Sequence, residues 1–217
     1  MSSHSVQLPV SFHFDLHLPA LPAPALLVCT HGYSQDKTAS LKFGRGVGDD
    51  LALAALQAPH PHFKNRKFEL GFSWVSPFNS AEGVANHHAF VRHVIDEAHA
   101  AGHIPERKAF LFGFSQSVSL NYRFARVHPD YLHGVIAVAG AAPSDWKVGG
   151  EPDIEVPALH IAATEDEAYS LERSRGFKAV LESHFKHLSY LEEPGPHRVP
   201  QAAYPKIRAW MSEQLTE

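Results

Sequence analysis

The chain has 217 residues, 44% of them apolar and 19% charged, which supplies a sizeable core and leaves too little net charge to hold the chain open. Its formal charge is −4 and its lysines and arginines are spread along the chain, which argues against nucleic acid as a partner. A single cysteine, Cys29, excludes an intramolecular disulfide framework and a cysteine-rich zinc site.

In chain order, residues 1–7 lack a basic segment followed by an apolar run, and Pro22 and Pro24 break the apolar stretch 19–29. The expectation is a cytoplasmic protein with no signal peptide and no stable membrane insertion. Residues 10–18 alternate apolar and polar, the period of an edge-type strand with one wet face. Short continuous apolar runs then predict buried parallel strands at 25–30, 109–114, 134–139, 158–163 and 187–191. Helical periodicity predicts helices over 49–57, 82–101, 116–127, 169–184 and 201–215, with Gly102 and Pro129 as stop signals. The Pro- and Gly-rich stretches 142–157 and 194–200 read as loops inside one domain spanning 1–217. The class is α/β.

The run ending at Phe112 meets Gly113-Phe114-Ser115-Gln116-Ser117 just before a helical pattern. This is a nucleophile elbow: a sharp strand-to-helix turn exposes the central serine, and small residues are needed two positions before and after it. Ser115 is favoured over its rival Ser117, because the strand ends immediately before it. A serine hydroxyl needs an imidazole to take its proton and a carboxylate to hold the imidazole's tautomer. Folds with such an elbow order these as serine, acid, histidine. Asp166 lies in the acidic run after strand 158–163, the carboxyl end where sites gather, and is favoured over the loop carboxylates Asp145 and Asp153. His197, in Pro194-Gly195-Pro196-His197, follows the last strand and is the expected base. The backbone amides of Tyr33, in Cys29-Thr30-His31-Gly32-Tyr33, and of Gln116 are the expected oxyanion donors, with His31 shaping the turn.

Together these motifs resemble the phospholipase/carboxylesterase group of α/β-hydrolase serine esterases, which includes acyl-protein thioesterases and bacterial carboxylesterases. The resemblance runs from Ala25 onward and rests on the HGY loop, Ala58-Pro59, Trp74, GFSQS, TEDEAY and GPHRVP. The chain departs from the group at Ser117, usually glycine, and in a histidine-rich segment from Pro59 to Phe63. The resemblance implies a mostly parallel sheet with helices on both faces. The short loop before strand 158–163 leaves no room for a separate cap domain, so an open site for small or medium acyl groups is expected.

Trp74 reads equally as core or as acyl-pocket wall, a choice the resemblance tilts toward the pocket; Phe114 and Trp146 are further candidates for the substrate site. Pairs such as His60/His62, His87/His88 and His13/His17 have local structural explanations, and no metal or cofactor is expected. Cys29 reads as a buried strand residue. The expected activity is cofactor-free cleavage of small-molecule carboxylic esters through an acyl-enzyme. A thioesterase or lysophospholipase of the same group is the enzymatic alternative, and a non-catalytic binding protein is the alternative from another class; a homodimer stays open.

Overall fold

The structure, a computed structural model, describes residues 10–20, 22–78, 80–102, 104 and 108–216. The reading of residues 1–7 lies outside them. A seven-stranded sheet forms the centre, built from β1 (Phe14–His17), β2 (Leu26–Thr30), β3 (Ala52–Leu56), β6 (Ala109–Phe114), β7 (Leu132–Val138), β8 (Ala158–Ala163) and β9 (Leu188–Glu193). Their order is β1-β3-β2-β6-β7-β8-β9, and only β1 runs antiparallel, at one edge. The alternating pattern of residues 10–18 thus yields the half-wet strand it encodes, and the apolar runs at 25–30, 109–114, 134–139 and 158–163 yield strands covered on both faces. The run at 187–191, expected to be buried, yields β9, a half-buried strand at the other edge of the sheet.

Side chains along each strand alternate between two cores. In β6, Ala109 and Leu111 join the layer under α2 (Ser80–Ala100), α3 (Val118–Val127) and α4 (Leu171–Glu182). Phe110, Phe112 and Phe114 join the layer under α1 (Lys37–Val47) and α5 (Ala203–Gln214). Phe110, Leu111 and Phe112 are fully buried, and burying each contributes about 1.5–3 kcal/mol.

Three elements differ from expectation. Residues 49–57, read as helical, contain β3 instead: Ala52 to Leu56 are all buried, because the strand is sandwiched between β1 and β2 and covered on both faces. Alanine and leucine are good helix formers, and tertiary burial overrides that preference. Helix α1 was not anticipated. Its start is capped by Asp36, whose side chain accepts from the amides of Thr38 and Ala39. Its Gly44 and Gly46 dilute the helical signal, yet a Cβ at Gly44 would meet Leu53 at 2.9 Å, so close packing on the sheet requires glycine there. The third is an antiparallel ribbon of β4 (His60–Phe63) and β5 (Leu70–Ser73), separate from the main sheet.

Candidate active site

Parallel strands bring the carboxyl ends of β2, β6, β8 and β9 to one edge of the sheet, and the candidate residues all follow those ends. Ser115 sits directly after β6 with φ +55, in the left-handed region that strains a residue with a side chain. The strain, about 1–3 kcal/mol, is sustained by close packing. A Cβ at Gly113 would lie 2.5 Å from the Asn121 amide nitrogen, and one at Gly32 would lie 2.8 Å from the Phe114 ring.

His197 Nε2 lies 2.9 Å from Ser115 Oγ, and His197 Nδ1 lies 2.8 Å from Asp166 Oδ2. The Asp166 side chain is only 1% exposed. Its other oxygen accepts from the amides of Ala168 at 2.7 Å and Tyr169 at 2.8 Å. A carboxylate so held presents an acceptor to Nδ1, which keeps the proton there and leaves the Nε2 lone pair facing the serine. The rings of Phe114 and Tyr169 pack on the imidazole at 5.0 and 5.7 Å. The His197 amide donates to Glu167 at 3.0 Å, and this bond is the main cause that lowers the Glu167 carboxyl below its usual range.

Ser117 is fully buried, and its hydroxyl bonds the carbonyls of Thr30 and Phe114 and the amide of Phe114. It ties the elbow to the end of β2. Asp145 and Asp153 pair with Arg123 and Arg126, and these hydrogen bonds are the main cause that lowers both carboxyls.

The two expected oxyanion amides are held with equal care. Gln116 lies in the first turn after β6, where helical amides have no intrahelical acceptor. Its side chain accepts from the Trp74 amide at 3.0 Å and donates to Ser73 Oγ at 2.9 Å. On the other side, the Ala58 amide donates to His31 Nε2 at 3.1 Å, so His31 Nδ1 carries the proton and donates to the Gly32 carbonyl at 2.7 Å. Burial lowers the His31 pKa to about 4, which keeps the ring neutral. The Gly32 carbonyl and the Tyr33 N–H belong to one planar trans peptide and point in opposite directions. Holding the carbonyl therefore also fixes the direction of the Tyr33 N–H.

A cleft of about 400 Å³ opens beside Tyr33 and Gln116, with walls from His60, His62, Val75 and Ser76. A larger one of about 720 Å³ lies at the opposite end of the strands, around Lys108, Leu132 and Pro157. The expected pocket residues fare differently. Phe114 is buried against His197 and Phe43. Trp74 is 1% exposed, and its indole N–H donates to the His31 carbonyl at 2.8 Å, so it packs beneath the His31–Tyr33 loop instead of walling the cleft. Trp146 packs against His184, Phe185 and Arg126, between α3 and the α4–β9 connection, so it does not rim the cleft. Glu167 and the hairpin were missed by sequence reasoning. The acidic run held the signal for Glu167, whereas β4 and β5 are too short and polar to stand out.

A model of the family described as phospholipase/carboxylesterase matches residues 19–212. The chain belongs to the phospholipase/carboxylesterase family. As a family member it is similar, over 77 residues at 34% identity, to a putative esterase, NocK, of Nocardia uniformis subsp. tsuyamanensis; the match covers 36% of this chain and 22% of that protein. The matched stretch is thus about a fifth of that relative's length. Among solved structures it is similar to a Bacillus cereus carboxylesterase (TM-score 0.70, 14% identity, 94% of each chain). A Mesorhizobium loti carboxylesterase gives TM-score 0.72 and 16% identity over 96% of this chain and 98% of that one. Arabidopsis thaliana SOBER1 gives TM-score 0.68 and 18% identity over 88% of this chain and 99% of that one. These likenesses establish the α/β-hydrolase fold for this family member.

Proposed function

We propose that this family member is a serine hydrolase that cleaves carboxylic esters of small or medium acyl groups through an acyl-enzyme. The observation that carries this reading is the continuous hydrogen-bond chain from buried Asp166 through His197 to the strained Ser115. Ser115 Oγ attacks the ester carbonyl while His197 Nε2 takes its proton, and Asp166 stabilises the resulting imidazolium. The carbonyl oxygen, now negative, receives hydrogen bonds from the Tyr33 and Gln116 amides. Collapse expels the alcohol, which leaves with the proton held by His197. Water then attacks the acyl-serine by the same route, releasing the acid and restoring Ser115.

The 400 Å³ cleft adjoining both amides supports a small or medium acyl group. A single buried, unbridged cysteine is compatible with work in the cytoplasm, which we include in the proposal. Among the described residues no helix is long and apolar enough to cross a membrane. Stopped-flow hydrolysis of p-nitrophenyl acetate tests the reading: a p-nitrophenol burst matching the enzyme concentration is expected, and absent turnover by the folded protein would refute it.

A further inference from the structure

His31 holds the oxyanion loop from below, and the β4–β5 hairpin holds it from above. The Ser34 amide donates to the Phe72 carbonyl at 3.0 Å and the Phe72 amide to the Gln35 carbonyl at 3.1 Å, so the loop joins β5 through an isolated antiparallel bridge between Gln35 and Phe72. A Cβ at Gly71 would lie 2.8 Å from the Ser34 backbone, which puts hairpin and loop in direct backbone contact. The Gln35 amide donates to the Gly32 carbonyl at 3.2 Å and closes a four-residue turn. Ser34, its third residue, has φ +64, a conformation glycine usually supplies and serine keeps only when its surroundings impose it.

One side chain of the hairpin grips both central residues of that turn, Tyr33 and Ser34. The His62 ring stacks on the Tyr33 ring with centroids 4.7 Å apart and planes 12° from parallel. His62 Nε2 also shares a 2.7 Å hydrogen bond with Ser34 Oγ. Tyr33 is 58% exposed even with this contact. We propose that His62 is a positioning residue: by stacking on Tyr33 and bonding Ser34 it clamps the turn so that the Tyr33 N–H stays aimed at the oxyanion. This rests on the serine-hydrolase reading, because only there does the direction of that N–H affect rate. The histidine-rich segment from Pro59 to Phe63 thereby acquires a role.

A displaced donor weakens the transition state more than the bound ester, so the signature of the clamp is a change in kcat at constant KM. Losing an oxyanion donor outright costs on the order of 10²–10³ in kcat, and a loosened one should cost about tenfold. His62→Leu, which removes both holds, should lower kcat about tenfold on p-nitrophenyl acetate with KM within about twofold; Ser34→Ala, which leaves the ring stack, should lower it less, and the double variant should be no worse than His62→Leu. His62→Gln, whose amide nitrogen reaches toward Ser34 but which cannot stack on Tyr33, should recover part of the rate. Inhibition by phenylboronic acid, whose serine adduct places an oxygen between the two amides, should weaken in parallel with kcat. The Ser34 amide, which donates to the Phe72 carbonyl, should also exchange with solvent faster in His62→Leu, a readout that needs no turnover. Unchanged kcat and unchanged exchange, or a rise in KM alone, would overturn the clamp. A wild-type protein without ester turnover would overturn the serine-hydrolase reading instead, and is recognised before any variant is compared.

Discussion

Trp74→Ala is the perturbation that best separates scaffold from pocket wall. The ring is buried, packs on His31 at 5.2 Å and His87 at 5.3 Å, and satisfies the His31 carbonyl through its indole N–H. Truncating a core tryptophan typically costs about 3–5 kcal/mol. In a chain of this size each kcal/mol shifts Tm by about 2–4 °C, so a fall of roughly 6–20 °C is expected by calorimetry. Trp74→Phe isolates the hydrogen bond: the ring volume is largely kept, the buried carbonyl is left unpaired, and the loss should be about 1–3 kcal/mol. Because Trp74 does not line the cleft, the profile of kcat/KM against acyl chain length should keep its shape in both variants. A small Tm change with a profile displaced toward longer acyl groups would refute this reasoning and make Trp74 a substrate contact.

Ser117→Ala should destabilise the fold by about 1–3 kcal/mol, measured in urea, because buried partners lose their hydroxyl, while ester turnover stays within an order of magnitude of wild type; abolished turnover would move the nucleophile to Ser117. Asp166→Asn should lower kcat by about 10⁴ with the fold intact, since the imidazole loses the acceptor that sets its tautomer; a change under tenfold would assign the acid elsewhere. Burial lowers the pKa of His31, His88 and His160 to about 4 and of His87 to about 3, whereas an unfolded histidine titrates near 6.5. The unfolded chain therefore binds more protons between these values, so stability is full above about pH 6.5 and falls as pH drops toward 4. A Tm that stays flat from pH 7 to pH 5 would contradict that. Burial also raises the Cys29 thiol, so the folded protein should resist a thiol reagent that labels it in denaturant.

The parts of the fold legible in the sequence were those whose signal is local. The apolar run into Gly113-Phe114-Ser115 encodes strand, turn and helix within a few residues, and the strands before Tyr33 and Asp166 are fully buried runs, whereas β9 before His197 carries Ser189, Glu192 and Glu193 and is only half-buried. What was not legible depends on what lies across the fold. Ala52 to Leu56 is a strand because β1 and β2 flank it, and α1 survives its glycines because Leu53 and Tyr204 approach them closely. Trp146 was placed near the site by its loop, but its partners come from a connection about 40 residues away by sequence. The contact of His62 with Tyr33 and Ser34 combines a short, half-polar strand with a turn far from it in sequence, and no periodicity encodes that pairing.

The central claim is that Ser115 is a nucleophile activated by His197 and Asp166. Its most direct test is labelling of the folded protein with a fluorophosphonate, followed by peptide mapping. One adduct per chain on Ser115, lost on prior heat denaturation and in His197→Ala, is the predicted result. A folded protein that takes no label, or takes it on another residue, would contradict the account.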